Sequence, residues 1–236
     1  MSTYLPRNAP GRMGRPLWMA GQAVSRWFDS SVEDLHHLPA GGALLVGNHA
    51  LLGVDAWGLF PALYNATGRI PRGLAHRNLF RAPVVAHALN SACMVPGDRD
   101  LAVRLLRDGE ICVCYPGGAR DSMKGRDERY TLKWEGRFGF AWAAALAGVP
   151  IVPVAAIGPD DAFQLLSANG VIPVEFLGPG LRAPLFVPLA RRVKFRFILG
   201  QPIMAPSEAT EETVRAFAAQ TQTALQALIH AHAPPA

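Results

Sequence analysis

The stretch from Phe138 to Pro159 carries no charge. Its first part, Phe140–Ala147, predicts a buried helix. Gly148-Val149-Pro150 breaks it, and Ile151–Ile157 predicts a core strand. By length alone the stretch spans a bilayer, but that break and Pro153 argue against a transmembrane helix. Upstream, Ala43–Val46 predicts another buried strand, and Asp55–Tyr64 an apolar helix that stops before Asn65-Ala66-Thr67-Gly68. A strand over Arg72–Ala75, a helix over Phe80–Leu89 entered at Pro83 and a short strand over Cys93–Val95 follow. Arg99–Arg107 predicts a helix closed by Asp108-Gly109, and Ile111–Tyr115 a strand ending in Pro116-Gly117-Gly118. Val32–Leu35 resembles an edge strand, with a turn at Leu38–Gly42. Near the end, Lys194–Phe197 alternates as a strand that is basic on one face. Ser207, Glu208, Glu211 and Glu212 then open a helix whose buried face holds Val214, Phe217, Leu225, Leu228 and Ile229. Strands alternating with helices predict one α/β domain over residues 32–236, with a mostly parallel central sheet flanked by helices.

Three stretches do not fit this alternation. Residues 1–31 form an N-terminal arm, of which 1–16 are rich in proline, glycine and arginine and lack the apolar core of a signal peptide. The pattern Trp18, Val24, Trp27, Phe28 with Arg15 and Arg26 fits an amphipathic helix at a membrane interface, and equally a helix capping the domain core. Ala119–Arg137 is a polar insertion that reads as a solvated loop or, given its place after a glycine turn, as a phosphate-contacting one. Residues 162–190 are apolar but interleaved with proline and glycine. They suit a cap over an apolar pocket or a membrane-facing surface, or else core filled by loops.

Composition narrows the class. Half of the 236 residues are hydrophobic and only 17% are charged, below the roughly 25% of an average soluble domain. Mean hydropathy is positive. The net charge of +5, supplied mostly by arginine, suits anionic partners such as phosphorylated cofactors or an anionic membrane surface. Neither an RNA-binding motif nor zinc-finger spacing occurs, which places nucleic acid last. Cys93, Cys112 and Cys114 are an odd number without a framework, which argues for reduced thiols in a cytoplasmic setting. Cys112 and Cys114 face one side of a strand, as core residues do. His36-His37 lacks further ligands near it in sequence, so no metal site is read.

The candidate chemistry lies at the end of the first buried strand, in Asn48-His49-Ala50-Leu51-Leu52-Gly53-Val54-Asp55. Asp55 is a lone carboxylate in apolar sequence, and burying it unpaired is costly. His49 is the nearest partner. At about 100° per residue, six helical steps leave the two side chains far apart. The pair therefore meets only if His49 sits in the turn after the strand and Asp55 at the start of the helix, with Gly53 allowing the bend. An imidazole steered by a carboxylate takes a proton from a hydroxyl at neutral pH. A surface histidine beside an acid that favours a helix N-terminus is the plainer alternative.

Four blocks in order resemble the glycerolipid acyltransferase superfamily, from about Val32 to the last helix. They are Asn48-His49 with Asp55, the stretch Arg77–Arg99, Tyr115-Pro116-Gly117-Gly118-Ala119-Arg120-Asp121, and Ile151-Val152-Pro153-Val154. Two departures stand out. Five residues separate the histidine and aspartate where most members have four, and Gly117 stands where most have glutamate. Pro-Gly-Gly-Ala-Arg followed by an acid, Leu132-Lys133-Trp134 and Gly158-Pro159-Asp160-Asp161 are similar to the diacylglycerol-acyltransferase-like and phytyl-ester-synthase-like branch. The resemblance implies acyl transfer from acyl-CoA or acyl carrier protein to a lipid hydroxyl, with no further cofactor. His49 is then the base and Asp55 its orienting acid, with Asn48, Arg99, Tyr115, Pro116, Gly117, Gly118 and Arg120 on the substrate side. Arg120 leads for contact with a phosphate or a polarised carbonyl. The Trp18–Trp27 arm, the apolar residues of 162–190 and the basic charge predict peripheral attachment to an anionic membrane on its cytoplasmic side, and Gly117, an acid at Asp121 beside Arg120 and the apolar stretch favour a neutral glycerolipid or long-chain alcohol over lysophosphatidate. The rivals are a lipid carrier on the same fold, which has no use for the dyad, and a thioesterase using the same base on water.

Overall fold

Two strands buried on both faces organise the molecule, β2 (Ala43–Gly47) and β6 (Ile151–Ile157). The computed structural model describes residues 15–175 and 179–234. Expectations for residues 1–14, and for Phe176 and Leu177 of the apolar stretch, lie outside them. β1 (Ser31–Glu33), β3 (Arg72–Ala75), β4 (Met94–Pro96), β5 (Ile111–Cys114) and β9 (Arg196–Leu199) complete a sheet in the order β1-β9-β6-β2-β5-β3-β4. Every neighbouring pair is parallel except β6 with β9. The expected mostly parallel α/β sheet is what forms.

Alternation along β2 and β6 sends side chains to two cores. Leu44, Val46, Ile151 and Ala155 face one core, shared with α4 (Arg99–Arg107), α6 (Gly139–Ala147) and α7 (Glu211–His232). Leu45, Val152, Val154 and Ala156 face the other, where α2 (Val54–Thr67) contributes Leu59 and Leu63. α1 (Arg15–Trp27) lies on α2: Gly21 approaches Pro61 and Trp57, and the Trp18 ring meets Tyr64 edge-on at 5.5 Å. This helix does cap the core, while Met19 and Trp27 remain exposed on it. α3 (Pro83–Ser91) begins at its proline, after a 3-10 turn over Arg77–Phe80.

Three expectations need correction. The final helix starts at Glu211 rather than near Ser207, because the Thr210 hydroxyl accepts from the Thr213 amide while the Thr213 hydroxyl accepts from the Thr210 amide. The polar insertion is not a solvated loop. It contains α5 (Ala119–Ser122), and Asp121, Lys124, Tyr130 and Trp134 are buried. Two of its acids satisfy backbone N–H groups: buried Asp121 those of His49 and Lys133, and half-buried Glu128 that of Gly125. Residues 162–190 are not ordinary core either. β7 (Ile172–Pro173) pairs with β8 (Arg182–Ala183) in a small separate ladder, and Leu166, Val171, Ile172, Leu185 and Leu189 stay exposed. No helix among the described residues is long and apolar enough to cross a membrane.

Candidate active site

β2 lies between β6 and β5 and runs parallel to both, so all three end on one side of the sheet. In open α/β sheets ligands bind at that edge. Asn48 follows β2, Tyr115 follows β5 and Gly158 follows β6. Asn48 is fully buried and uses both ends of its amide on one residue. Its Nδ2 donates to the Ala156 carbonyl at 3.0 Å, and its Oδ1 accepts from the Ala156 amide at 2.8 Å. This carries the β2–β6 pairing one residue beyond the strand and fixes where the next residue points.

That residue is His49. Its Nδ1 lies 3.0 Å from each carboxylate oxygen of Asp55, which also accepts from the Ala50 amide at 3.0 Å. The sequence separation is closed by a 3-10 turn over Leu51–Gly53. Within it Leu52 (φ 59°) and Gly53 (φ 66°) are both left-handed, which folds the start of α2 back onto the histidine. For leucine that conformation costs about 1–2 kcal/mol. A Cβ on Gly53 would stand 3.5 Å from His49 Cε1 and 4.0 Å from Nε2, so the glycine leaves that edge of the ring uncovered. The His49 side chain is 19% exposed and Asp55 fully buried.

The imidazole also stacks on Tyr115, with ring centroids 4.2 Å apart and planes 15° apart. Burial, followed by the Asp55 carboxylate, pushes the Tyr115 hydroxyl well above its ordinary pKa and keeps it protonated. Burial lowers the His49 pKa, but the charge and hydrogen bond of Asp55, with help from Asp121, outweigh it. The net result is a raised value. A partly exposed imidazole, held by a carboxylate at Nδ1 and free at Nε2, is the arrangement of a general base acting on a hydroxyl.

The turn after β5 is built tightly. The Gly118 amide donates to the Tyr115 carbonyl at 2.9 Å, and Gly118 (φ 54°, ψ −135°) has a backbone that side-chain-bearing residues avoid. Arg137 Nη1 donates to the Gly117 carbonyl at 2.7 Å and lies 3.4 Å from that of Pro116. Arg120 does not pair with its neighbour Asp121. It meets Glu135 at 3.1 Å on the surface. Arg99 opens α4 at the C-terminal end of β4, two strands outward from β5, with its nearest acid, Asp100, at 4.0 Å. The structure thus gathers Asn48, His49, Asp55, Tyr115 and the Gly117–Gly118 turn, and sets Arg99 and Arg120 at the periphery.

Sequence reasoning missed a buried charged group behind the histidine. Lys124 Nζ lies 3.0 Å from Asp160, which also accepts from the Tyr130 amide at 2.7 Å. The signal for it was the Gly158-Pro159-Asp160-Asp161 turn, whose second acid takes the Arg129 guanidinium at 2.7 Å and the Tyr130 hydroxyl. Beside this group a small cavity is walled by Leu51, Lys124, Pro159, Phe163 and Leu165. Among the described residues no group of His, Cys, Asp and Glu is placed to hold a metal ion.

Residues 29–157 match the family profile described as Acyltransferase. The chain belongs to that family. The acyltransferase relatives include a mouse "DGAT1/2-independent enzyme synthesizing storage lipids", 32% identical over 218 residues that cover 92% of this chain and 64% of the relative. The human protein of that name is 32% identical over 219 residues, 92% of this chain and 65% of its own. An uncharacterized Mycobacterium tuberculosis protein is 31% identical over 197 residues, 79% of this chain and 55% of its own. The chain therefore spans just under two thirds of the length of the animal proteins. Among solved structures, the 1-acyl-sn-glycerophosphate (LPA) acyltransferase PlsC of Thermotoga maritima shares the fold. The TM-score is 0.50 at 19% identity, over 89% of this chain and 76% of that one. Family and fold thus agree: an acyltransferase-family domain on the sheet architecture that this structure shares.

Proposed function

We propose that this acyltransferase moves a fatty acyl group from a thioester, acyl-CoA or acyl carrier protein, to the hydroxyl of a neutral glycerolipid or long-chain alcohol. The observation that carries the proposal is the His49–Asp55 contact at 3.0 Å with the Nε2 edge uncovered. His49 Nε2 takes the hydroxyl proton as the oxygen attacks the thioester carbonyl. The tetrahedral oxyanion then collapses, the C–S bond breaks, and the thiolate leaves with the proton from the imidazolium. Asp55 holds the Nδ1–H tautomer and offsets the charge that His49 acquires. The transfer is direct. Burial pushes the Cys112 and Cys114 thiols up to about 12, so neither serves as an acyl-accepting nucleophile.

Two features favour a neutral acceptor. Glu135 engages Arg120, which leaves that arginine less available to a phosphate. The exposed apolar residues of 162–190, with Phe163 and Leu165 beside the cavity at Leu51, suit a long uncharged chain. The name of the animal relatives points the same way. One observation favours lysophosphatidate instead: exposed Arg99, only loosely held by Asp100, is open to an anion. The ratio of kcat/KM for diacylglycerol and lysophosphatidate in matched mixed micelles separates the two. A clear preference for lysophosphatidate rejects the neutral acceptor.

The same reading places the protein on the cytoplasmic surface of an anionic membrane. Exposed Met19 and Trp27 on α1 and the apolar residues of 162–190 provide insertion, and the net charge of +5 provides attraction.

A further inference from the structure

Asp121 is fully buried, yet its side chain serves two segments far from it in sequence. Oδ2 accepts from the His49 amide at 3.1 Å and Oδ1 from the Lys133 amide at 3.0 Å. The turn before it is shaped to admit this carboxylate. A Cβ on Gly117 would stand 2.4 Å from Asp121 Cβ and 2.8 Å from its Cγ, so residue 117 has no space for a side chain while Asp121 occupies it. Burial raises the Asp121 pKa, opposed by the Lys124 charge and by the Lys133 and His49 amides, and both carboxylate oxygens act as acceptors, which is the bonding of the ionised form.

We infer that Asp121 is a positioning residue for the transfer: it pins the His49 backbone to the loop after β5 and favours the proton that His49 gains during the reaction. The inference rests on His49 acting as the base.

The groups that face or surround His49 are Asp55 from α2, Tyr115 after β5, Asp121 from α5 and Lys124 just beyond it. Lys124 lowers the His49 pKa, and its own charge is largely met by Asp160. Around His49 the buried acids Asp55, Asp121 and Asp160 are met by one lysine, Lys124, so a proton on His49 reduces the imbalance. Asp121 acts in the same direction on the imidazole as Asp55, through its charge and without touching the ring. Backbone and charge are thus supplied by one side chain. A misplacement of the base by about 1 Å costs roughly 10²-fold in rate.

The test is an NMR titration of the histidine rings in the wild type and in Asp121→Asn, with the His49 signal assigned by its loss in His49→Gln. Turnover is measured on the same preparations. Asparagine keeps the volume, loses the charge and offers an acceptor to only one of the two amides. The expected result is a lower His49 pKa in Asp121→Asn, with kcat down about 10²-fold and the KM for thioester little changed. An unshifted His49 overturns the inference whatever the turnover, since a purely structural role leaves the ring's titration alone. Should Asp121→Asn not fold, Gly117→Ala takes its place. It retains the carboxylate but displaces it, and the same downward shift is expected, with an unmoved pKa again the refuting result. A wild type that turns over no thioester rejects the acyl-transfer reading, while the titration still decides whether Asp121 acts on His49.

Discussion

Asp55→Asn removes one charge from the site at nearly constant volume. The wild-type carboxylate accepts from His49 at both oxygens and from the Ala50 amide, all at 3.0 Å, and is fully buried. Asparagine has a single acceptor oxygen. If that oxygen keeps the Ala50 amide, its NH2 faces His49 Nδ1 and forces the proton onto Nε2, where the ring no longer serves as a base. If it keeps His49, the Ala50 amide is left buried and unpaired, at about 1–3 kcal/mol. The wrong tautomer and the lost charge together cost about 10⁴-fold in a comparable triad, or about 5.4 kcal/mol of barrier. We therefore expect kcat to fall about 10⁴-fold with little change in KM. The pH profile gives a second reading. The wild-type His49 pKa is raised because Asp55 and Asp121 outweigh burial, so kcat/KM climbs as pH rises through a value above about 6.5. Without the Asp55 charge the lowering by burial is less opposed, and the acid limb of the residual activity moves to lower pH. The assay is thioester consumption with a lipid alcohol from pH 5 to 9, on protein shown by its melting curve to be folded. A folded Asp55→Asn with near-wild-type kcat, or with an unmoved acid limb, refutes the reasoning.

Two other variants probe what surrounds the site. Lys124→Met strands Asp160 in the interior with only the Tyr130 amide as donor, and should cost about 3–5 kcal/mol of folding stability by urea denaturation; a loss below about 1 kcal/mol would show that the ion pair is dispensable. Met19→Glu combined with Trp27→Glu alters exposed positions of α1, leaves its packing on α2 intact, and should reduce sedimentation with anionic vesicles; unchanged binding by the folded double variant removes α1 from the membrane surface.

The sheet was largely legible because its signals are local. Arg72–Ala75, Ile151–Ile157 and the helix Arg99–Arg107 form over the ranges that hydrophobic pattern and caps predict. The meeting of His49 with Asp55 followed from a cost argument about one carboxylate and the geometry of six residues. What was not legible is non-local. Nothing near Asp121 in sequence tells that its acceptors are needed by His49 and Lys133, and Lys124 reads as a surface lysine until Asp160 is brought to it. Arg120 drew attention by its motif, yet a surface acid fifteen residues on, Glu135, takes it. The onset of α7 was missed because Ser207 and Thr210 are similar cap candidates, and the hydroxyl of Thr213 decides between them.

The central claim is that His49 drives transfer to an alcohol rather than to water. The direct measurement is product analysis with acyl-labelled thioester, as acyl-CoA and as acyl carrier protein, with and without diacylglycerol in mixed micelles, for the wild type and for folded His49→Ala. The account predicts a labelled acyl ester that forms only when the acceptor is present and falls by at least about 10²–10⁴-fold in His49→Ala. Label recovered as free fatty acid regardless of acceptor, or ester formed equally well by His49→Ala, would contradict it.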